Sequence, residues 1–211
     1  MSLPQADWYF DFISPFAWLQ WHRLAALRSR LAIRPVPVVL GAILAHAGSK
    51  GPAEVPGKRD FTYRFARWQA QRAGVPLRFP PSHPFNPLPA LRLAVALDAR
   101  EDAIEVIFRA IWEHGTAVDS AQALAPLAAR LGIDDVAAVI AAQRVKDTLR
   151  GNTEAAIARG VFGVPTLAIG THLFWGDDAT PMVHDWLDDP ARFDDAESHR
   201  LATLPIGVAR A

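Results

Sequence analysis

Ser14, the stretch Gly163-Val164-Pro165-Thr166 and the stretch Trp175-Gly176-Asp177-Asp178 are where residue types and neighbours in this 211-residue chain suit chemistry. Ser14 stands between the aromatic run Asp7 to Ile13 and a segment of helical spacing, with Pro15 next to it. Serine followed by proline is an ordinary helix start. The hydroxyl accepts a backbone N–H of the first turn, and proline loses nothing at the first helical position. The same place also suits an anion, since free N–H groups and the helix macrodipole favour negative charge there by about 0.3–1 kcal/mol each. A nucleophilic serine fits less well: His22 lies further along the same helix and cannot fold back as a base, and no G-x-S-x-G elbow occurs. A helix N-terminus with one hydroxyl donor would seat a thiolate. The chain has no cysteine, so any thiol working here is brought by another molecule, and neither disulfides nor thiolate metal sites are expected.

Pro165 opens a strand, where its missing N–H does no harm. A cis peptide between Val164 and Pro165 would instead turn the Val164 N–H and C=O outward, toward a ligand's own backbone; both isomers stay open at this level. At Gly176-Asp177-Asp178 one carboxylate serves as a helix N-cap, and two together can hold an ammonium group.

These groups need elements to place them. Residues Asp7 to Ile13 read as a strand, and a helix follows from Ser14-Pro15 to about Arg30. Ala32 to Leu40 is a second strand whose Pro35 and Pro37 call for a sheet edge, and the three elements make a βαβ unit, expected to be right-handed. Residues 46–57 are a Gly/Pro loop, 58–73 a helix, 75–89 a proline-dense loop, and 90–159 a series of helical segments broken near Gly115, Gly132 and Asp134. Strand texture returns at Thr166–Ile169 and His172–Trp175, which flank Gly170-Thr171 as a β-hairpin, and a helix follows from about Asp178 to Leu187. Neither pair of strands can bury its faces alone, so strands from both ends share one sheet. The expectation is an α/β domain made of residues 1–45 and 156–211, interrupted by a large all-helical insertion at 46–155.

With 51% hydrophobic and 21% charged residues, the chain can bury a sizeable core as one domain or one domain with an insertion. Lys and Arg total 22, as do Asp and Glu, which leaves no net field to attract nucleic acid or an anionic membrane. No stretch approaches the roughly 20 apolar residues that cross a bilayer, and MSLPQADWYF lacks the basic and apolar regions of a leader. A cytoplasmic protein with a small-molecule or protein partner is expected.

Taken together, YFDFISPFAWL, GKRDFTYRFARWQAQRAGVPLRFP and RGVFGVPTLAIGTHLFWGDD resemble the 2-hydroxychromene-2-carboxylate isomerase family. That family is close to the kappa-class glutathione transferases, within the disulfide-oxidoreductase A group of the thioredoxin superfamily. Ser14-Pro15-Phe16-Ala17 falls where redox relatives carry Cys-x-x-Cys. The resemblance implies a thioredoxin-like domain with a helical insertion, glutathione in the cleft between them, and a homodimer. It implies that Ser14 hydrogen-bonds the glutathione sulfur, that Val164 before a cis proline pairs with the tripeptide backbone, and that Trp175, Gly176, Asp177 and Asp178 hold the γ-glutamyl end. Lys58 would offer a cation to a carboxylate. The insertion would supply the acceptor site, with His83 and Asn86 as lining candidates and Phe16, Trp18 and Trp112 as aromatic walls. The implied activity is glutathione-dependent isomerisation of a small aromatic carboxylate, with a kappa-like transferase or a non-catalytic peptide-binding protein as alternatives. Two departures stand out: the family's Gly-Asn/Ser-Asp-Arg reads Gly176-Asp177-Asp178-Ala179 here, and Ser49 stands where kappa relatives place an asparagine.

Overall fold

Aromatic side chains extend the backbone over Gln5–Phe10 (β1), and Ser14-Pro15 turns it into α1, Pro15–Leu27. In the computed structural model, which describes residues 3–208, the second strand is Ala32–Pro37 (β2). It is shorter than its apolar run suggests. A buried carboxylate, that of Asp11, accepts the Leu40 N–H at 2.9 Å, and the chain there enters a short helix α2, Leu40–His46. The hairpin Thr166–Ile169 (β3) and His172–Trp175 (β4) falls where the alternation places it.

The four strands form one sheet in the order β2-β1-β3-β4. β1 runs parallel to β2 and antiparallel to β3, and β3 is antiparallel to β4. Pro35 and Pro37 therefore sit on an edge strand, where their missing N–H groups cost no ladder bond. β1 is central because its side chains are wanted on both faces: Trp8 and Phe10 go to one core, Tyr9 to the other.

Between β2 and β3 lie α3 (Lys58–Ala73), α4 (Leu88–Ala96), α5 (Glu101–Phe108), α6 (Ala121–Arg130), α7 (Val136–Ala141) and α8 (Gln143–Ala158). α5 continues into a π-helical turn, Arg109–Glu113, before the expected break at Gly115. After the hairpin, a short 3-10 turn at Asp177–Ala179 precedes α9 (Thr180–Asp188), and α10 (Ala196–Ala202) follows.

The larger core joins the sheet to the helical unit. Phe108 of α5 has ring centroids 6.2 Å from Trp8, 5.6 Å from Phe10, 4.7 Å from Phe12, 6.0 Å from Trp18 and 6.2 Å from Trp21. Strand β1, helix α1 and the helical unit thus bury one common aromatic cluster, and this sets where the residues before Ser14 lie. Among the described residues no helix is long and apolar enough to cross a membrane, and no cluster of metal-binding side chains occurs.

Candidate active site

Ser14 has extended backbone angles, and its Oγ accepts the Ala17 N–H at 3.2 Å, as an N-cap does. That bond uses acceptor capacity only. The hydroxyl proton remains available to donate. Pro15 has no N–H, and the Phe16 N–H has no partner among the described residues. One hydroxyl and one backbone amide therefore point from the start of a 13-residue helix, at a residue that is 6% exposed. Free donors at a helix N-terminus are of the kind that suits an anion.

Asp11, three residues earlier, is wholly buried. Its Oδ1 accepts the Ile13 N–H at 3.0 Å, its Oδ2 the Leu40 N–H at 2.9 Å, and its carbonyl the Ser14 N–H at 3.1 Å. Burial pushes its pKa up to about 7, against the opposing pull of the two amides. Sequence reading passed over it, although a lone carboxylate inside the apolar run YFDFIS is a visible signal that something local must satisfy it.

Val164-Pro165 is a cis peptide. Val164 is buried, and among the described residues neither its N–H nor its C=O has a hydrogen-bond partner. Pro165 O, by contrast, accepts the Gly176 N–H at 2.9 Å, which draws the end of β4 onto this edge. Trp175 is 54% exposed and packs edge-on against Phe162 with centroids 5.1 Å apart. A Cβ at Gly163 would fall 2.5 Å from Trp175 Nε1, so this glycine is what lets the indole lie there. Gly176 has φ +95°, and its carbonyl accepts Gln20 Nε2 at 2.8 Å. Gln20, another residue missed from sequence, also accepts the Trp8 indole N–H at 2.7 Å. It staples β1, α1 and the turn after β4.

The two carboxylates after Gly176 part company. Asp178 is exposed, whereas the Asp177 side chain is fully buried and faces Arg23 of α1, Nε to Oδ1 2.8 Å. The contact is an ion pair without hydrogen-bond geometry, since neither Asp177 oxygen receives a bond of normal angle. Of the expected pair only Asp178 can meet a ligand's ammonium group in this arrangement. Burial outweighs Arg23 and, with Asp178 beside it, holds the Asp177 pKa up at about 6, above the ordinary 3.8. Folding therefore disfavours the ionised form. The contribution to stability is full below about pH 4 and is lost as pH rises through 6, a swing of about 3 kcal/mol. Asp177→Asn is expected to remove that swing: urea unfolding at pH 4.5 and pH 8 should differ less in the variant, and an unchanged difference would count against the assignment.

Other expected residues take different places. Lys58 opens α3 and is exposed, as is Ser49. His83, expected to line an acceptor site, spends both ring nitrogens internally: Nε2 lies 2.8 Å from the Ile13 carbonyl and Nδ1 2.8 Å from Tyr63 Oη. Burial holds its pKa below the usual histidine range. Asn86 is exposed, and its Oδ1 accepts the Leu88 N–H at 3.1 Å, closing the turn into α4. Trp18 and Trp112 are 0% exposed core residues, so of the three aromatic walls expected only Phe16 is partly open, 6.1 Å from Phe65 of α3.

A cap hydroxyl beside a cis-proline edge, over a β2-β1-β3-β4 sheet, can be compared with known proteins. The family model described as DSBA-like thioredoxin domain matches residues 5–188. A 2-hydroxychromene-2-carboxylate isomerase of Pseudomonas putida is 33% identical over 185 residues, covering 84% of this chain and 91% of that protein. This chain belongs to the 2-hydroxychromene-2-carboxylate isomerase family. The solved structure of a family member, 2-hydroxychromene-2-carboxylate isomerase, superposes with a TM-score of 0.78 at 28% identity, covering 90% of this chain and 97% of that one. Outside the isomerases, glutathione S-transferase kappa 2 of Caenorhabditis elegans is 26% identical over 204 residues, covering 86% of this chain and 91% of that protein. The expected thioredoxin-like fold with its helical addition is thus the family's fold.

Proposed function

We propose that this chain is a glutathione-dependent isomerase of a small aromatic carboxylate. The observation that carries the reading is a donor-bearing helix N-terminus, at Ser14 and Phe16, in a chain that has no sulfur nucleophile of its own. The donor set fits a thiol tripeptide. Ser14 Oγ–H and Phe16 N–H would face the sulfur, the N–H and C=O of Val164 would take the peptide backbone, and the exposed Asp178 beside Trp175 would hold the γ-glutamyl ammonium. Lys58 would answer a carboxylate of glutathione or substrate. Asp177 would act from behind, by fixing the turn through Arg23.

Glutathione, when bound, would supply a thiolate able to add to and leave from an unsaturated carbon without net consumption, the chemistry that lets a carbon–carbon double bond rotate. The residues of this chain favour the ionised thiol and position it, the two contributions a protein can make to such a step. A cytoplasmic location, a homodimer, and division into residues 1–45 with 156–211 and a helical unit at 46–155 belong to the same proposal.

Titrating glutathione against the protein is expected to show thiolate absorbance, at about 240 nm, at a pH below the value of about 8.5 at which a free thiol ionises. No shift would overturn the reading. A kappa-like transferase, which the Caenorhabditis relative favours, would use the same thiolate but accumulate glutathione conjugates, so product analysis separates the two. Calorimetry showing peptide binding without glutathione binding would favour a non-catalytic binding protein instead.

A further inference from the structure

Three successive carbonyls lead up to Ser14, and each is taken. The Asp11 carbonyl accepts the Ser14 N–H. The next two are held from far away in the chain: Trp112 Nε1 donates to Phe12 O at 2.9 Å, 100 residues apart, and His83 Nε2 faces Ile13 O at 2.8 Å, 70 residues apart. A carbonyl only accepts, so the Nε2 of His83 carries a proton. Behind the imidazole stands Tyr63 of α3, whose hydroxyl lies 2.8 Å from both Nδ1 and the His83 carbonyl, and Arg59 donates to that same carbonyl at 2.7 Å. Tyr63, Phe79, His83 and Trp112 pack ring against ring, with centroids 4.7 Å (Tyr63–Phe79), 5.3 Å (Phe79–Trp112) and 5.6 Å (His83–Trp112) apart.

We infer that Trp112 and the Tyr63–His83 pair are positioning residues for the Ser14 hydroxyl, so that the helical unit aims the thiol site as well as lying over it. The inference rests on the reading of Ser14 as the seat of a glutathione thiolate. The cap bond to Ala17 fixes where Ser14 Oγ lies relative to α1, but the direction in which the residue enters the helix is set by the Phe12 and Ile13 peptide planes. Those planes are held on one side by Asp11 and on the other by the two ring N–H donors. A loosened peptide plane swings the hydroxyl, and a small misplacement of a catalytic group is costly because the pre-oriented geometry is what it contributes. The titratable groups that face this strut are Asp11, Arg59 and Tyr63. Burial and Arg59 both keep the His83 ring neutral near pH 7, which leaves Nε2–H as the fixed donor.

The test compares His83→Leu, which deletes the donor to Ile13, with His83→Gln, whose amide can replace it, and adds Trp112→Phe, which deletes the indole N–H together with part of the ring system, and Tyr63→Phe, which removes one hydroxyl and keeps its ring. Thermal unfolding and the pKa of protein-bound glutathione, from thiolate absorbance, are measured on each. His83→Leu and Trp112→Phe are expected to raise the bound thiol pKa by about half to one unit, or about three- to tenfold less thiolate at a given pH. His83→Gln should restore most of it. Tyr63 is only partly buried and phenylalanine keeps its ring, so should the buried variants not fold, Tyr63→Phe decides the matter: a thiol pKa raised in the same direction supports the inference, and a wild-type value overturns it. Folded variants with lower melting temperatures but a wild-type thiol pKa would overturn the inference. Wild-type protein that does not lower the thiol pKa would overturn the thiolate reading of Ser14 itself.

Discussion

Ser14→Ala is expected to cut turnover about 10- to 100-fold and to raise the pKa of bound glutathione by about 1–2 units, because a hydrogen bond to a charged group is worth about 1.5–3 kcal/mol. The cap bond from Ala17 occupies an acceptor lone pair of Ser14 Oγ and leaves its proton free. Alanine therefore deletes two separable things. In the proposed role, losing the donor to the sulfur would shift the acid limb of the pH–rate profile upward, since the thiolate would then form at higher pH. Losing the cap costs about 1 kcal/mol of stability at any pH. The loss of thiolate stabilisation should not be complete: the Phe16 N–H and the α1 dipole remain at the site. Thiolate titration and urea unfolding on the same variant separate the parts. A variant that is less stable but ionises glutathione as readily as wild type would show that Ser14 is a cap and nothing more.

The second large effect is on stability. Phe108→Ala is expected to cost about 3–5 kcal/mol, the range for a large aromatic removed from a packed core. In a chain of this size that corresponds to a fall of roughly 6–20 °C in melting temperature. The position is severe because the ring contacts aromatic side chains from β1, from the loop before Ser14 and from α1, all with centroids within 6.2 Å. The same contacts predict one cooperative transition. Far-ultraviolet circular dichroism, dominated by the helical unit, and tryptophan fluorescence, to which the buried Trp8, Trp18, Trp21 and Trp112 contribute, should report coincident unfolding curves in wild type. Two separated transitions would mean that the helices and the sheet keep independent cores, against the single cluster seen here.

Much of the scaffold was legible in one dimension. The hairpin residues Thr166–Ile169 and His172–Trp175, the helix beginning at Lys58 and the edge position of the Pro35/Pro37 strand all follow from alternation, helical spacing and the missing proline N–H. The strand read as Ala32 to Leu40 stops at Pro37 because the carboxylate of Asp11, on the neighbouring connection, takes the Leu40 N–H, and a window of residues 32–40 does not contain that partner. The same reason explains His83 and Asn86. Their place in a proline-rigid loop suggests residues lining a substrate pocket, yet Asn86 closes the turn into α4 and His83 spends its nitrogens on Ile13 and Tyr63.

By itself the sequence determined what depends on neighbours a few residues away: Ser14 as the cap of α1, the strands, the lack of any thiol in the chain, and the family those motifs mark. Tertiary structure alone decided that Val164-Pro165 is cis, that Asp177 turns inward to Arg23 while Asp178 stays out, and that Trp112 and His83 grip the carbonyls of Phe12 and Ile13. Capping is written in the spacing of three residues, because the bond it makes spans three residues. Which indole or imidazole reaches a given carbonyl depends on how the helices pack over β1, and that packing is set by the shared aromatic core around Phe108 rather than by any local run.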